Sequence, residues 1–94
     1  MYLNDIILIE TYGKDLLVYT LNNSYLLKNT VLYYQNLLSP YGFKRISQSS
    51  IIHKRNIIKI SPAISMKFTL KLKNNKKVYV TRSYYYDFKD YIGL

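Results

Sequence analysis

The chain has 94 residues, no cysteine, one histidine, and 14 Lys and Arg against 5 Asp and Glu, for a formal charge of +9. That length suits a single domain over residues 1–94 that buries about 60–70% of its unfolded surface, and the composition excludes a disulfide framework and a thiolate metal site and argues against an all-protein zinc cage. No apolar run approaches the roughly 20 residues of a membrane span and MYLNDIILIE has no basic n-region, so the expectation is a cytoplasmic protein with no membrane, metal or cofactor dependence.

Ile6 to Thr11 is an apolar run closed by the turn signal Tyr12-Gly13-Lys14-Asp15, and Leu16 to Leu21 resumes in β-forming residues. Asn22-Asn23, a pair that tolerates positive φ, predicts a two-residue turn into Ser24 to Leu27 and completes a three-stranded antiparallel meander. From Thr30 to Leu38 the period shifts to that of a helix. Val31, Tyr34 and Leu38 share a face, Asn29 or Thr30 starts it, and Ser39-Pro40-Tyr41-Gly42 stops it.

Phe43 to Ile46 and Ile51-Ile52 read as short extended pieces, and Ile57 to Ser61 as a strand ending at Pro62. Phe68, Leu70 and Leu72 alternate with Thr69, Lys71 and Lys73. Asn74-Asn75 then turn the chain, and Val78 and Val80 return on one face of a second hairpin. The last segment, SYYYDFKDYIGL, predicts a helix capped by Ser83 and stopped by Gly93, with Tyr84, Phe88 and Tyr91 or Ile92 in one stripe. Tyr19, Tyr25, Tyr33, Tyr34 and Tyr79 are expected to complete a small core. Three consecutive rings cannot share one helical face, so at least one of Tyr84, Tyr85 and Tyr86 should be exposed near Arg82.

Charge is distributed unevenly. Between Asp15 and Asp87 there is no acid, whereas twelve Lys and Arg fall in that interval. Folding it into a small volume creates a positive field that nucleic acid relieves, and no basic amphipathic helix argues for a membrane surface instead. The densest segment is 44-KRISQSSIIHKRN-56. Its Lys and Arg supply charge and its hydroxyls and amide supply short hydrogen bonds to phosphate. Gln48 has the donor and acceptor to engage adenine, and Arg45 or Arg55 could grip phosphate or guanine. His53 as a base for Ser49 or Ser50 lacks a nearby carboxylate in sequence to orient it, whereas a metal-independent nuclease, for which one His and one Glu can suffice, stays open as an alternative; His53 also has the simpler option of bonding its own turn. Twelve tyrosines also leave open an RNA-binding module that stacks bases.

Taken in order, the strand ending in Glu10, the Gly13-Lys14 turn, a hairpin, a short helix, FKRISQSSIIHKRNI, KNNKK and VTRSYYYDF resemble the LytTR family of bacterial DNA-binding domains. Phe43, Arg45, Ile46, Ser49, Ile51, Ile52 and Ile57 match its first motif, and Arg82 and Tyr84 its second. Ser47, His53 and Thr81 stand where the family usually has His, Asn and Ser.

The resemblance implies a mostly β fold with one or two short helices, in an elongated arrangement of small antiparallel sheets. It also implies a sequence-specific, double-stranded DNA-binding regulator domain without catalytic activity, whose loops enter successive major grooves. Carried over residue by residue, Lys14 (with Asp15 as the neighbouring alternative), Gln48 and Arg82 would contact bases. Arg45, Ser47, Ser49, His53, Lys54, Arg55, Lys73, Lys76 and Tyr84 would contact the DNA backbone. The implied partners are direct repeats in promoters, a second copy of the chain on that DNA, and a receiver domain. On this expectation the chain is either an excised effector or a stand-alone regulator.

Overall fold

In a computed structural model describing residues 2–94, eight strands form two antiparallel sheets flanked by two helices. The first sheet contains β1 (Leu8–Tyr12), β2 (Asp15–Tyr19), β3 (Ser24–Leu27), β4 (Phe43–Arg45) and β5 (Ser50–His53), in the order β3-β2-β1-β5-β4. The second contains β6 (Ile57–Ala63), β7 (Lys67–Leu72) and β8 (Lys77–Val80) in sequence order. Helix α1 (Val31–Leu38) connects β3 to β4, and α2 (Tyr85–Ile92) follows β8.

The apolar runs of β1 and β5 are continuous because both strands are covered on both faces. Leu8 and Ile52 point into one core with Phe68, Leu70, Leu72, Val78, Val80 and Phe88 of the second sheet and α2. Their neighbours Ile9 and Ile51 point into the other, with Leu16, Val18, Phe43 and Leu38 of α1. The first sheet is therefore the middle layer. β7 and β8 instead alternate buried and exposed residues, as expected of a sheet with one wet face. The extents are 33 × 27 × 23 Å, so the elongation implied by the resemblance is slight.

Local chemistry sets the ends of these elements. Gly13, at φ +62, makes the two-residue loop between paired Tyr12 and Asp15. Thr30 caps α1 by accepting the Tyr33 N–H at 3.1 Å. Pro62 does not end its strand. β6 is an edge, so a proline there leaves no ladder bond unmade and pairing continues to Ala63.

Three other expectations change. The first hairpin turns through Thr20–Asn23, where Thr20 donates its N–H to the Asn23 carbonyl and accepts from the Asn23 N–H, so Asn22 and Asn23 need no positive φ. The second turn uses asparagine as predicted, with Asn75 at φ +67. Ser83 does not cap α2. The Tyr84 N–H bonds to the Thr81 carbonyl at 2.9 Å, winding Arg82–Tyr84 into a 3-10 turn and making Tyr84 the cap residue. Finally, Tyr25, Tyr33 and Tyr79 are exposed, while Tyr19 and Tyr34 pack against the cores. Tyr79 lies between inward-facing Val78 and Val80, Tyr25 is on an outer strand, and Tyr33 sits one helical step off the buried face.

Candidate nucleic-acid interface

The two ends of the first sheet differ in chemistry. β1 and β5 run antiparallel with Glu10 opposite Ser50, which places the Gly13-Lys14 turn and the Ile46–Ser49 loop at one end. That loop is tied on both sides: Thr11 N–H donates to the Ser49 carbonyl at 3.0 Å, and Thr81 N–H to the Ile46 carbonyl at 3.1 Å. The second bond brings the start of the Arg82 turn to the same end. Lys14, Gln48 and Arg82, far apart in sequence, are thus gathered there, and all three are exposed.

The loop is braced from beneath by Arg45. Its Nε–H donates to the Ser47 carbonyl at 3.0 Å, one terminal nitrogen to Gln35 Oε1 at 3.1 Å, and the other to the Gln48 carbonyl at 2.7 Å and Gln48 Oε1 at 3.3 Å. The guanidinium also lies 6.0 Å from the centre of the half-buried Tyr84 ring. Arg45 therefore shapes the loop that presents Gln48, with Tyr84 flanking its guanidinium. Ser47 does the same: it is 6% exposed, and its Oγ accepts the Ser49 N–H at 3.1 Å and pairs with Ser49 Oγ. Ser49 is half-buried beside it.

A cavity of about 240 Å3 opens among this loop, Glu10, Tyr79 and Thr81. Glu10 accepts a hydrogen bond from Ser50 Oγ at 2.9 Å. Tyr12, next to Lys14, is also exposed. Sequence reasoning did not place Glu10, Tyr12 or Tyr79 at this site. For Tyr79 the signal was present, since a strand position between two core valines must face outward.

His53, Lys54 and Arg55 occupy the opposite end, because β5 runs from Ser50 to His53 across the sheet, about 10 Å at strand rise. His53 Nδ1 accepts the Arg55 N–H at 3.1 Å, so the proton on Nε2 faces the Tyr41 carbonyl at 3.2 Å. Burial, then the Arg55 charge, lowers its pKa from the ordinary 6.5, against a smaller opposing pull from the Tyr41 carbonyl. The Arg55 guanidinium donates to the Leu3 carbonyl at 2.9 Å, and Lys54 lies over the Tyr91 ring. Tyr91 Oη donates to the Gly42 carbonyl at 2.6 Å and accepts the Lys54 N–H at 2.7 Å; burial raises its pKa. Lys73 and Lys76 belong to the turn between β7 and β8, which docks here through Lys73 N–H to the Asn56 carbonyl. Lys76 Nζ sits 4.3 Å from the centre of the Tyr19 ring.

The geometry offers no nucleophile–base pair around the histidine, since Ser49 and Ser50 are at the other end of the strand and Ser50 bonds Glu10. Among the described residues, no helix is long and apolar enough to cross a membrane.

A family model described as the LytTr DNA-binding domain matches residues 1–93. The transcriptional regulatory protein LytR of Staphylococcus aureus, in strains N315 and NCTC 8325, is 32% identical over 90 residues, which cover 96% of this chain and 37% of that protein. The chain thus spans little more than a third of the length of these curated relatives. A LytTr DNA-binding domain from Bacillus cereus has the same fold, with a TM-score of 0.90 at 24% identity, over 97% of this chain and 84% of that one.

Proposed function

Because the chain belongs to the LytTr DNA-binding domain family, we propose that it reads a specific duplex sequence for a transcriptional regulator, with Lys14, Gln48 and Arg82 as the base-contacting residues. The observation that carries this reading is the double tether of the Ile46–Ser49 loop to Thr11 and Thr81, which gathers three exposed polar side chains from three segments. Lys14 and Arg82 fit guanine O6 and N7, and Gln48 fits adenine N6 and N7. Arg45 already engages the Gln48 amide oxygen and so limits the directions in which Gln48 can approach a base.

The longest dimension of the whole molecule, 33 Å, does not exceed the roughly 34–36 Å of one duplex turn. Loops reach successive major grooves at that size when the duplex bends toward the protein. On this reading Ser49 and Lys54 hold phosphates beside and beyond the loops, and Arg55, Lys73 and Lys76 add to the field that draws the duplex in. Paired copies on direct repeats, control by a receiver domain, and a cytoplasmic site of action complete the proposal, on the strength of the family.

Selection of bound duplexes from a random pool tests it. A defined sequence should emerge, and Arg82→Ala should lose about 1–3 kcal/mol on that sequence and relax preference at one base pair. A pool that stays random after selection at physiological salt overturns the reading.

A further inference from the structure

The open face of the second sheet carries an arrangement that the loops do not explain. By strand register, Lys59 lies directly opposite Lys71, and Lys71 directly opposite Lys77, so three ammonium side chains form one row across β6, β7 and β8. The adjacent row on the same face is Ser61, Thr69 and Tyr79. The opposite face holds Ile60, Leu70 and Val78, which look inward and bury the sheet. Like charges directly opposite one another destabilise a sheet, and a chain already at +9 gains nothing in solubility from stacking three of them. The lysine row borders a cavity of about 380 Å3 whose lining includes Ser61, Thr69 and Asn75 and no carboxylate.

This face is continuous with the interface described above. Tyr79, which ends the hydroxyl row, also borders the cavity containing Gln48 and Thr81. The lysine row lies two residues further along the strands, about 7 Å. Three strands at about 4.8 Å spacing put the ammonium groups across roughly 10 Å, a width over which a duplex offers several phosphates.

We propose that the open face of the second sheet is a phosphate platform, on which Lys59, Lys71 and Lys77 take the sugar–phosphate backbone of the duplex on one flank of the recognised sequence. This rests on the functional reading given above and extends it: the loops read, and the sheet holds the DNA that leaves the groove beside Gln48. Hydroxyls of Ser61, Thr69 and Tyr79 donate to phosphate oxygens next to the ammonium groups. The platform is one-sided, because the lysine row lies to one side of the Gln48 loop.

The test uses the whole chain and its Lys59→Gln/Lys71→Gln/Lys77→Gln variant, with the duplex recovered from the random pool carrying long flanks, and the same duplex trimmed on either side. Wild type should weaken when one flank is removed and not when the other is. The variant should bind the full duplex as wild type binds the trimmed one, with a salt slope shallower by about two to three units. Its melting temperature should stay level or rise, since an opposed row of charges is relieved. Equal weakening of the variant on every duplex overturns the proposal, as does an unchanged slope. Retention of polyglutamate by wild type but not the variant, with DNA binding unaltered, assigns the face to an acidic polypeptide and overturns it as well. A pool that yields no sequence strikes the functional reading instead. The platform is then decided on a long random duplex by the same slope difference.

Discussion

The two ends of the first sheet use the same residue types for different purposes. At the end formed by the Gly13-Lys14 turn and the Ile46–Ser49 loop, Lys14, Gln48 and Arg82 are presented outward, and one arginine, Arg45, is used beneath them as a brace. At the other end His53 and Tyr91 turn their polar atoms onto backbone groups and close a clasp between β5, α2 and the segment entering β4, while Arg55 ties the N-terminal segment at Leu3. Within one basic, hydroxyl-rich stretch, Gln48 is therefore presented while Arg45 and His53 are turned onto the chain's own groups. What decides the role is whether the chain's own carbonyls and N–H groups lie within reach of the side chain.

The comparison is broken most severely at Gly42. Its φ is +92, and a β-carbon there would lie 2.6 Å from His53 Nε2. Gly42→Ala should cost about 2–3 kcal/mol of stability, through strain and displacement of the clasp, measured by denaturant unfolding. At the other end, Arg45→Ala leaves the Ser47 and Gln48 carbonyls without their partner and should cost about 1–3 kcal/mol. Its distinguishing signature is a larger loss on the selected duplex than on random DNA, and Arg45→Lys should not rescue it because an ammonium cannot span four acceptors on three residues in a fixed fork. Equal losses on both duplexes would show that the brace does not position Gln48.

Tyr91→Phe removes a hydroxyl that serves both the Gly42 carbonyl and the Lys54 N–H, and should cost about 1–2 kcal/mol with DNA affinity little changed. The smallest effect is pH-dependent. The unfolded imidazole takes up its proton near 6.5, whereas the folded one does so only at lower pH, so the unfolded state binds more protons in between. The His53 contribution should be fully present above about pH 6.5 and decline as the solution is acidified through that region. His53→Gln should flatten this part of the stability profile; a profile of unchanged slope would remove the histidine from the clasp.

Most of the fold was legible because it rests on local alternation and turn residues. Phe68, Leu70 and Leu72 announced β7, and Val78 and Val80 announced β8. The cap at Thr30 and the stops at Gly42 and Gly93 also lay where the residue chemistry put them. What the residues alone could not convey was partnership at long range. Nothing in 44-KRISQSSIIHKRN-56 shows that Arg45 meets Gln35 or that Lys54 N–H meets Tyr91, since those bonds depend on how α1 and α2 pack. Ser83 failed as a cap for a nearer reason, the competing Thr81–Tyr84 turn. The gathering of Lys14, Gln48 and Arg82 came from family resemblance and not from periodicity, because bringing three loops together is a property of sheet order.

β1 and β5 serve both hydrophobic layers at once, and the two finest probes of the surface, the Lys14 turn and the Gln48 loop, grow directly from them. The amides of this pair should therefore be among the slowest in the molecule to exchange with solvent, opening only when both layers come apart together. The distance between the Lys14 turn and the Gln48 loop is then guarded by the whole cooperative unit, and a methyl group loosened in either layer is felt at both tips.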